Sequence, residues 1–263
     1  MSKKIILITG ASSGIGREFA LQVDTLFQNM DEIWLVARRR EQLEETASLL
    51  KTKTRIVPMD VTKDSAQMRL TELLELYDAR ICMLINCAGY GLMGPFEDAK
   101  QIAGVPKGQL GMIRVNCEAL TQMTYRCIPF MGKNSRIIQL ASSAAFLPQP
   151  YFAVYAATKA YVLSFSRALG EELLKKRIYV TSVCPGPVDT PFFDIAEKSG
   201  TTLAVKKITL VQSDKVVARA LKDAYHKRPV SVYSMPIKAF YLLTKNIPHQ
   251  WILSVMRLFQ KGS

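Results

Sequence analysis

The chain has 263 residues, 49% of them hydrophobic, and its 35 Lys and Arg against 22 Asp and Glu leave a net charge of +13. That is the composition of a globular protein with a sizeable core, in one large α/β domain or two small ones, with a preference for anionic partners. The five cysteines are odd in number and form no C-x-x-C pair, no run reaches the ~20 apolar residues that span a bilayer, and the basic residues lack zinc-finger spacing or an aromatic RNA-binding box. A disulfide framework, a metal site, a membrane-spanning helix and a nucleic-acid partner are therefore not expected, and reduced cysteines fit a cytoplasmic location.

Lys4 to Thr9 is a short β-branched run that reads as a buried parallel strand. Its apolar part, Ile5 to Ile8, is too short for a signal peptide. Gly10-Ala11-Ser12-Ser13-Gly14-Ile15-Gly16 follows, then a helical pattern from Arg17 to about Met30. Strand, glycine turn and helix make a phosphate cradle, because glycines let the backbone approach a pyrophosphate and the helix end offers N–H groups. A plain turn is the competing reading. Glu32 to Ala37 is the second strand. A dinucleotide fold often carries an acid at its end to bond the ribose 2′-hydroxyl; here Ala37-Arg38-Arg39 stands instead. Guanidinium groups suit a 2′-phosphate, so the reading is NADP(H), with Arg38 as first contact and Arg39 as second. A basic start to the helix Arg39 to Leu50 is the alternative.

Arg55 to Asp60 is a third strand; Asp60 either accepts from an adenine amino group or caps the helix starting near Asp64. Ile81 to Asn86 is the fourth, ending in Asn86-Cys87-Ala88-Gly89, and two helical stretches bracket Asn116. Arg136 to Ala141 is the fifth, ending in Ser142. Phe146 to Phe152 is a loop leading to a helix that runs to about Lys176. Arg177 to Cys184 is a sixth strand, closed by Pro185-Gly186-Pro187-Val188-Asp189-Thr190. Residues 190–212 read as a substrate flap. Ser213 caps a helix from Asp214 to Lys227, and Pro229 to Tyr233 is a seventh strand. The unbroken alternation predicts a single doubly wound Rossmann-type domain: a seven-stranded parallel sheet with helices on both faces.

Tyr155 and Lys159 lie one helical turn apart. A phenol titrates at about 10, and a neighbouring ammonium lowers that value and brings the hydroxyl into range for proton transfer. Tyr241 and Lys245 repeat the spacing beyond the last strand, but Arg228 stands where a partner serine is needed, so this pair reads as an amphipathic helix face.

Taken together, T-G-A-S-S-G-I-G at 9–16, N-C-A-G at 86–89, Asn116, Ser142, Tyr155, Lys159 and P-G-P-V-D-T at 185–190 resemble the short-chain dehydrogenase/reductase family over residues 3 to 234. The Ala37-Arg38 arrangement looks like its NADP-preferring members. The resemblance implies that Tyr155 exchanges a proton with the carbonyl or alcohol oxygen and that Ser142 orients it. Lys159 lowers the tyrosine pKa and holds the nicotinamide ribose, and Asn116 positions a proton-relay water. Gly10, Ser12, Ser13, Ile15 and Gly16 line the phosphates, Asp60 and Val61 flank adenine, Asn86 sits by the ribose, and Val188 and Thr190 meet the carboxamide. Gly14, Ala88, Gly89, Pro185 and Gly186 also bind the cofactor. It also implies a homo-oligomer. Cys87 in the N-C-A-G motif departs from the commoner N-N-A-G.

Tyr90, Leu92, Met93, Phe146, Leu147, Tyr151, Phe192 and Phe193 form a candidate apolar pocket wall, which suits a bulky lipophilic ketone or alcohol, hydroxysteroid-like or 3-oxoacyl. The alternative is a catalytically silent NADP-binding regulator or scaffold; the complete set of four catalytic residues argues against it. The tail, residues 234–263, is amphipathic and broken in two by Pro248. It covers the pocket or a subunit interface, adds to the core, or makes peripheral contact with an anionic membrane.

Overall fold

The runs at residues 5–8, 33–36 and 81–85 are too apolar for a sheet with one wet face, and the seven strands pair in parallel with helices on both sides. The computed structural model describes residues 2–96, 108–197 and 210–260, with side chains described through Ser254. The strands are β1 (Lys3–Thr9), β2 (Glu32–Ala37), β3 (Thr54–Pro58), β4 (Ala79–Asn86), β5 (Met131–Leu140), β6 (Tyr179–Val183) and β7 (Val230–Ser231). The helices between them are α1 (Gly14–Leu26), α2 (Arg40–Ser48), α3 (Asp64–Leu76), α4 (Gly108–Ile113), α5 (Leu120–Cys127), α6 (Ala153–Leu173), α7 (Phe192–Ala196) and α8 (Ser213–Tyr225). The tail adds α9 (Met235–Asn246) and α10 (His249–Gln260).

The strand order is β3-β2-β1-β4-β5-β6-β7. The chain winds outward from β1 to β3, returns across β1, and winds the other way from β4. Ile5 and Leu7 therefore face a core shared with α3, α5 and α6, and Ile6 and Ile8 face one shared with α1, α2 and α8. The reversal between β1 and β4 opens a crevice at the carboxyl ends of the strands, the place where such sheets bind ligands.

Several expectations are refined or corrected. Asn116 is bracketed by α4 and α5, as expected, but the two are joined without a break through a π-helical segment, Arg114–Ala119, that contains it. Such wide turns have no hydrophobic-period signature and recur at functional sites. Ser213 is the first residue of α8, not its cap; Gln212 holds the cap position without a side-chain bond. Lys63 occupies the cap position of α3, while Asp60 Oδ1 accepts from the Thr62 N–H at 3.0 Å and the Thr62 hydroxyl at 2.8 Å. The seventh strand keeps two residues of the expected five. Within the flap stretch, Phe192–Ala196 is helical, and residues 198–209 lie outside the described residues.

The tail does pack on the body. Tyr241 and Phe240 place their rings 4.6 Å and 6.2 Å from that of Phe146. Ile237 is buried so close to Gly186 that a Cβ there would come within 2.8 Å of it. Burying one such side chain contributes about 1.5–3 kcal/mol. This contact fixes the tail to the loop after β6. Tyr241 and Lys245 interact with each other, the ammonium 4.3 Å from the ring centroid. Neither lines the crevice.

Candidate active site

The crevice is a cavity of about 1680 Å³ running from the glycine turn after β1 to the tail. At one end the glycine turn is built by steric need. Gly10 has φ +71°, and a Cβ on it would lie 2.8 Å from the Ala88 nitrogen; a Cβ on Gly16 would overlap the Gly10 carbonyl oxygen. Only bare backbone lets α1 start this close to the ends of β1 and β4. Ser13 at the cap position makes no side-chain cap bond and the first turn of α1 holds no acid, so a positive helix end meets the cavity at Gly14, Ile15 and Gly16. Arg39 Nη2 donates to the Ser12 and Ser13 hydroxyls, each at 3.3 Å, and Arg38 also lines the cavity. Two guanidinium groups, two hydroxyls and a helix N-terminus fit a phosphorylated dinucleotide. Arg39, expected as the second contact, is the one already drawn to the turn.

Asp60, Val61, Ala88, Gly89, Pro185, Gly186, Val188 and Thr190 line the same cavity, with Ser142, Tyr155 and Lys159. Asn86 does not. Its side chain is buried at the end of β4, where Nδ2 donates to Thr124 Oγ1 (3.1 Å) and Gln139 Oε1 (3.0 Å) and Oδ1 accepts from Thr9 Oγ1. It ties β1, β4, β5 and α5 together, and this corrects its expected place beside the ribose. Leu92 and Phe146 likewise turn into the packing and off the pocket wall, whereas Tyr90, Met93, Leu147, Tyr151, Phe192 and Phe193 line it.

Asn116 is fully buried. Its Oδ1 accepts from the Tyr90 N–H (3.1 Å), and its Nδ2 donates to the Tyr90 carbonyl (3.0 Å) and to Thr158 Oγ1 (3.1 Å). Thr158 in turn donates to the Tyr155 carbonyl at 2.7 Å. Asn116 thus clamps the loop after β4 to the helix bearing Tyr155. Thr158 was not singled out from sequence, although its place three residues after Tyr155 suits this back-bond.

Lys159 corrects a further expectation. Its Nζ donates to the Leu140 carbonyl at 2.7 Å and stands 5.6 Å from the Tyr155 ring centroid. Burial pushes the lysine down to about 8. Burial pushes the Tyr155 phenol up to about 12, opposed by hydrogen bonding with Ser142. The phenol is raised where the sequence led us to expect it lowered, because desolvation dominates and the hydrogen bond with Ser142 opposes it only in part. Ser142 Oγ accepts from the Ala144 N–H at 3.1 Å, which orients the hydroxyl at the head of a short turn. The Tyr155 ring stacks on Phe152, centroids 4.3 Å apart, and tilts against Phe192.

Of the places the sequence left open for the tail, the pocket is one it reaches: Pro236, Ile237, Phe240 and Ile252 line the cavity. The apolar face of the tail was legible, but not which of its residues meet the wall. Among the described residues no cluster could hold a metal ion, all five cysteines are free, and no helix is long and apolar enough to cross a membrane.

A doubly wound parallel sheet with a phosphate-binding glycine turn and a Ser–Tyr–Lys set at its switch point defines an oxidoreductase that binds a nicotinamide dinucleotide. The chain belongs to the short-chain dehydrogenase/reductase family, whose short chain dehydrogenase model matches residues 4–199. It is 34% identical over 193 residues to an uncharacterized oxidoreductase of Staphylococcus epidermidis, covering 73% of this chain and 80% of that protein. It is 29% identical over 185 residues to the very-long-chain 3-oxoacyl-CoA reductase of Homo sapiens, covering 68% of this chain but 57% of the longer relative. A short-chain dehydrogenase from Sphingobium yanoikuyae, solved with NADPH, superposes with a TM-score of 0.74 at 26% identity, covering 99% of this chain and 96% of that one.

The buried lysine makes a linkage prediction. Its folded pKa, about 8, lies below the ordinary 10.5, so its desolvation cost is fully present below pH 8 and is relieved as pH rises toward 10.5. In the cofactor-free protein, the Lys159 Cε resonance should titrate with a midpoint near 8. Stability relative to Lys159→Met should rise between pH 8 and 10; a midpoint above 10 contradicts this.

Proposed function

We propose that the protein is an NADP(H)-dependent oxidoreductase that interconverts a bulky lipophilic ketone and its secondary alcohol. The observation that carries this reading is one continuous cavity. It joins the Arg38–Arg39 and Ser12–Ser13 cluster to the Tyr155 hydroxyl and continues along Leu147, Phe192, Phe240 and Ile252. The names of relatives point the same way. One is a very-long-chain 3-oxoacyl-CoA reductase; another, in Arabidopsis thaliana, is an 11-beta-hydroxysteroid dehydrogenase-like protein, 34% identical over 195 residues covering 72% of this chain and 60% of it.

When bound, NADPH supplies a hydride to the carbonyl carbon. The chain's own residues do the rest. Tyr155 holds its proton at neutral pH, the form that donates to the carbonyl oxygen as negative charge develops there. Ser142, its acceptor side engaged by Ala144, directs its own proton to the same oxygen. Lys159, bonded here to the Leu140 carbonyl, would hold the cofactor ribose, and its charge would favour the tyrosinate after proton transfer. The expected relay water would be held by the backbone of the π segment, since both polar atoms of the Asn116 side chain are engaged. Asp60 and Val61, which line the cavity, would flank the adenine, and Val188 and Thr190 would hold the carboxamide.

A homo-oligomer is proposed through the face of α4, α5 and α6, where Leu110, Ile113, Tyr125 and Tyr161 are exposed. Tyr125→Glu should lower the sedimentation coefficient; a wild-type protein already sedimenting as a monomer would refute the assembly.

Tyr155→Phe should lower turnover of a lipophilic ketone about 10²–10⁴-fold while NADPH still binds. Full activity in that variant, or a preference for small polar polyols across a substrate panel, would overturn the assignment; NADPH binding without turnover of any ketone would favour a silent regulator. Arg38→Ala with Arg39→Ala should weaken NADPH binding about 10–100-fold and leave NADH nearly unchanged, as removing two charge-assisted bonds predicts. Fluorescence titration of both cofactors reads the difference.

A further inference from the structure

The tail helix α9 has two apolar sides, and only one is covered. Ile237, Phe240, Tyr241 and Thr244 turn toward the body and the cavity. Met235, Ala239 and Leu242 recur at i, i+4 and i+7 on the opposite side, with Leu243 at the edge of that stripe. Met235 is 74% exposed, Leu242 59% and Leu243 47%; Trp251 at the start of α10 is 70% exposed. Lys238 and Lys245, seven residues apart, run along one flank of the stripe.

Charge says what covers this face. Residues 224–263 contain six Lys and Arg, both histidines of the chain and no Asp or Glu, so this last stretch of 40 residues carries +6 of the total +13. An apolar stripe with an exposed tryptophan, in a segment free of acids, fits a surface that is apolar inside and anionic outside. A second copy of the chain would set these basic segments against each other across a two-fold axis, which like-charge repulsion disfavours.

We propose that α9 and the start of α10 dock on an anionic lipid bilayer surface, Leu242, Leu243 and Trp251 entering the headgroup region and Lys238 and Lys245 resting on lipid phosphates. The same two helices supply Phe240 and Ile252 to the cavity wall. Docking therefore places the wall of the cavity against the phase in which lipophilic molecules concentrate. The surface stands on its own exposure and charge and does not need the proposed substrate class.

The test is co-sedimentation of the full chain with phosphatidylcholine vesicles, with and without about 30 mol% phosphatidylserine to give the surface a negative potential. Binding is expected to the anionic vesicles, falling as salt rises. Lys238→Gln and Lys245→Gln should each weaken the partition coefficient about fivefold, the equivalent of about 1 kcal/mol per basic residue. Leu242→Ser with Trp251→Ser should lose most of the binding. All four side chains are partly or wholly exposed, so thermal melts should match wild type. Absence of binding to anionic vesicles, equal binding by the variants, or a shift from dimer to monomer in Leu242→Ser/Trp251→Ser without a change in vesicle binding each overturn the proposal.

Discussion

The site hangs on the side chain of Asn116. In one buried amide, three hydrogen bonds join the loop after β4 to the helix that carries Tyr155 and Lys159. A buried amide with every partner in place is rigid, and removing it breaks three hydrogen bonds in a buried place, each worth about 0.5–1.5 kcal/mol. The π segment makes this reach possible by displacing Asn116 from the regular helical path. Gly89 completes the fit, because a Cβ there would come within 2.8 Å of the Asn116 oxygen. Asn86 does the same service one layer deeper, joining β1, β4, β5 and α5. The two asparagines hold the switch point of the sheet without touching the cavity.

On that frame, burial sets the chemistry. Tyr155 and Lys159 are both taken out of water, and each is pushed toward its neutral form: the phenol up, the ammonium down. The lysine answers by bonding the Leu140 carbonyl at the end of β5. Desolvation that disfavours charge before reaction also strengthens any interaction with charge that appears during it. The rings of Phe152, Tyr155 and Phe192 pack together and give this part of the cavity an aromatic wall.

The tail couples the body to its surroundings. Ile237 presses on Gly186 in the loop after β6, and Phe240 and Tyr241 close over Phe146. One face of α9 is thus part of the cavity wall and the other is left to the outside, so the exposed surface is one helix diameter from the cavity.

How much of this was legible in the sequence follows from the range of the forces involved. The strand runs, the glycine turn, the Tyr155–Lys159 spacing and the break at Pro248 are local patterns, set by backbone sterics and by periodicities of two and 3.6, and the chain determines them by itself. The order of the motifs also determined the family and the parallel sheet. Only the tertiary structure decided that Asn86 turns inward, that Arg39 and not Arg38 reaches the serines, and that Ser213 begins a helix without capping it. It alone set the direction of the Tyr155 shift, because desolvation depends on what lies overhead, and it alone showed that Phe240 and Ile252 of the tail line the cavity. Packing between segments far apart in the chain leaves no spacing to read, and the π segment at Asn116 is invisible for the same reason: one extra residue per turn is a response to what the helix must reach.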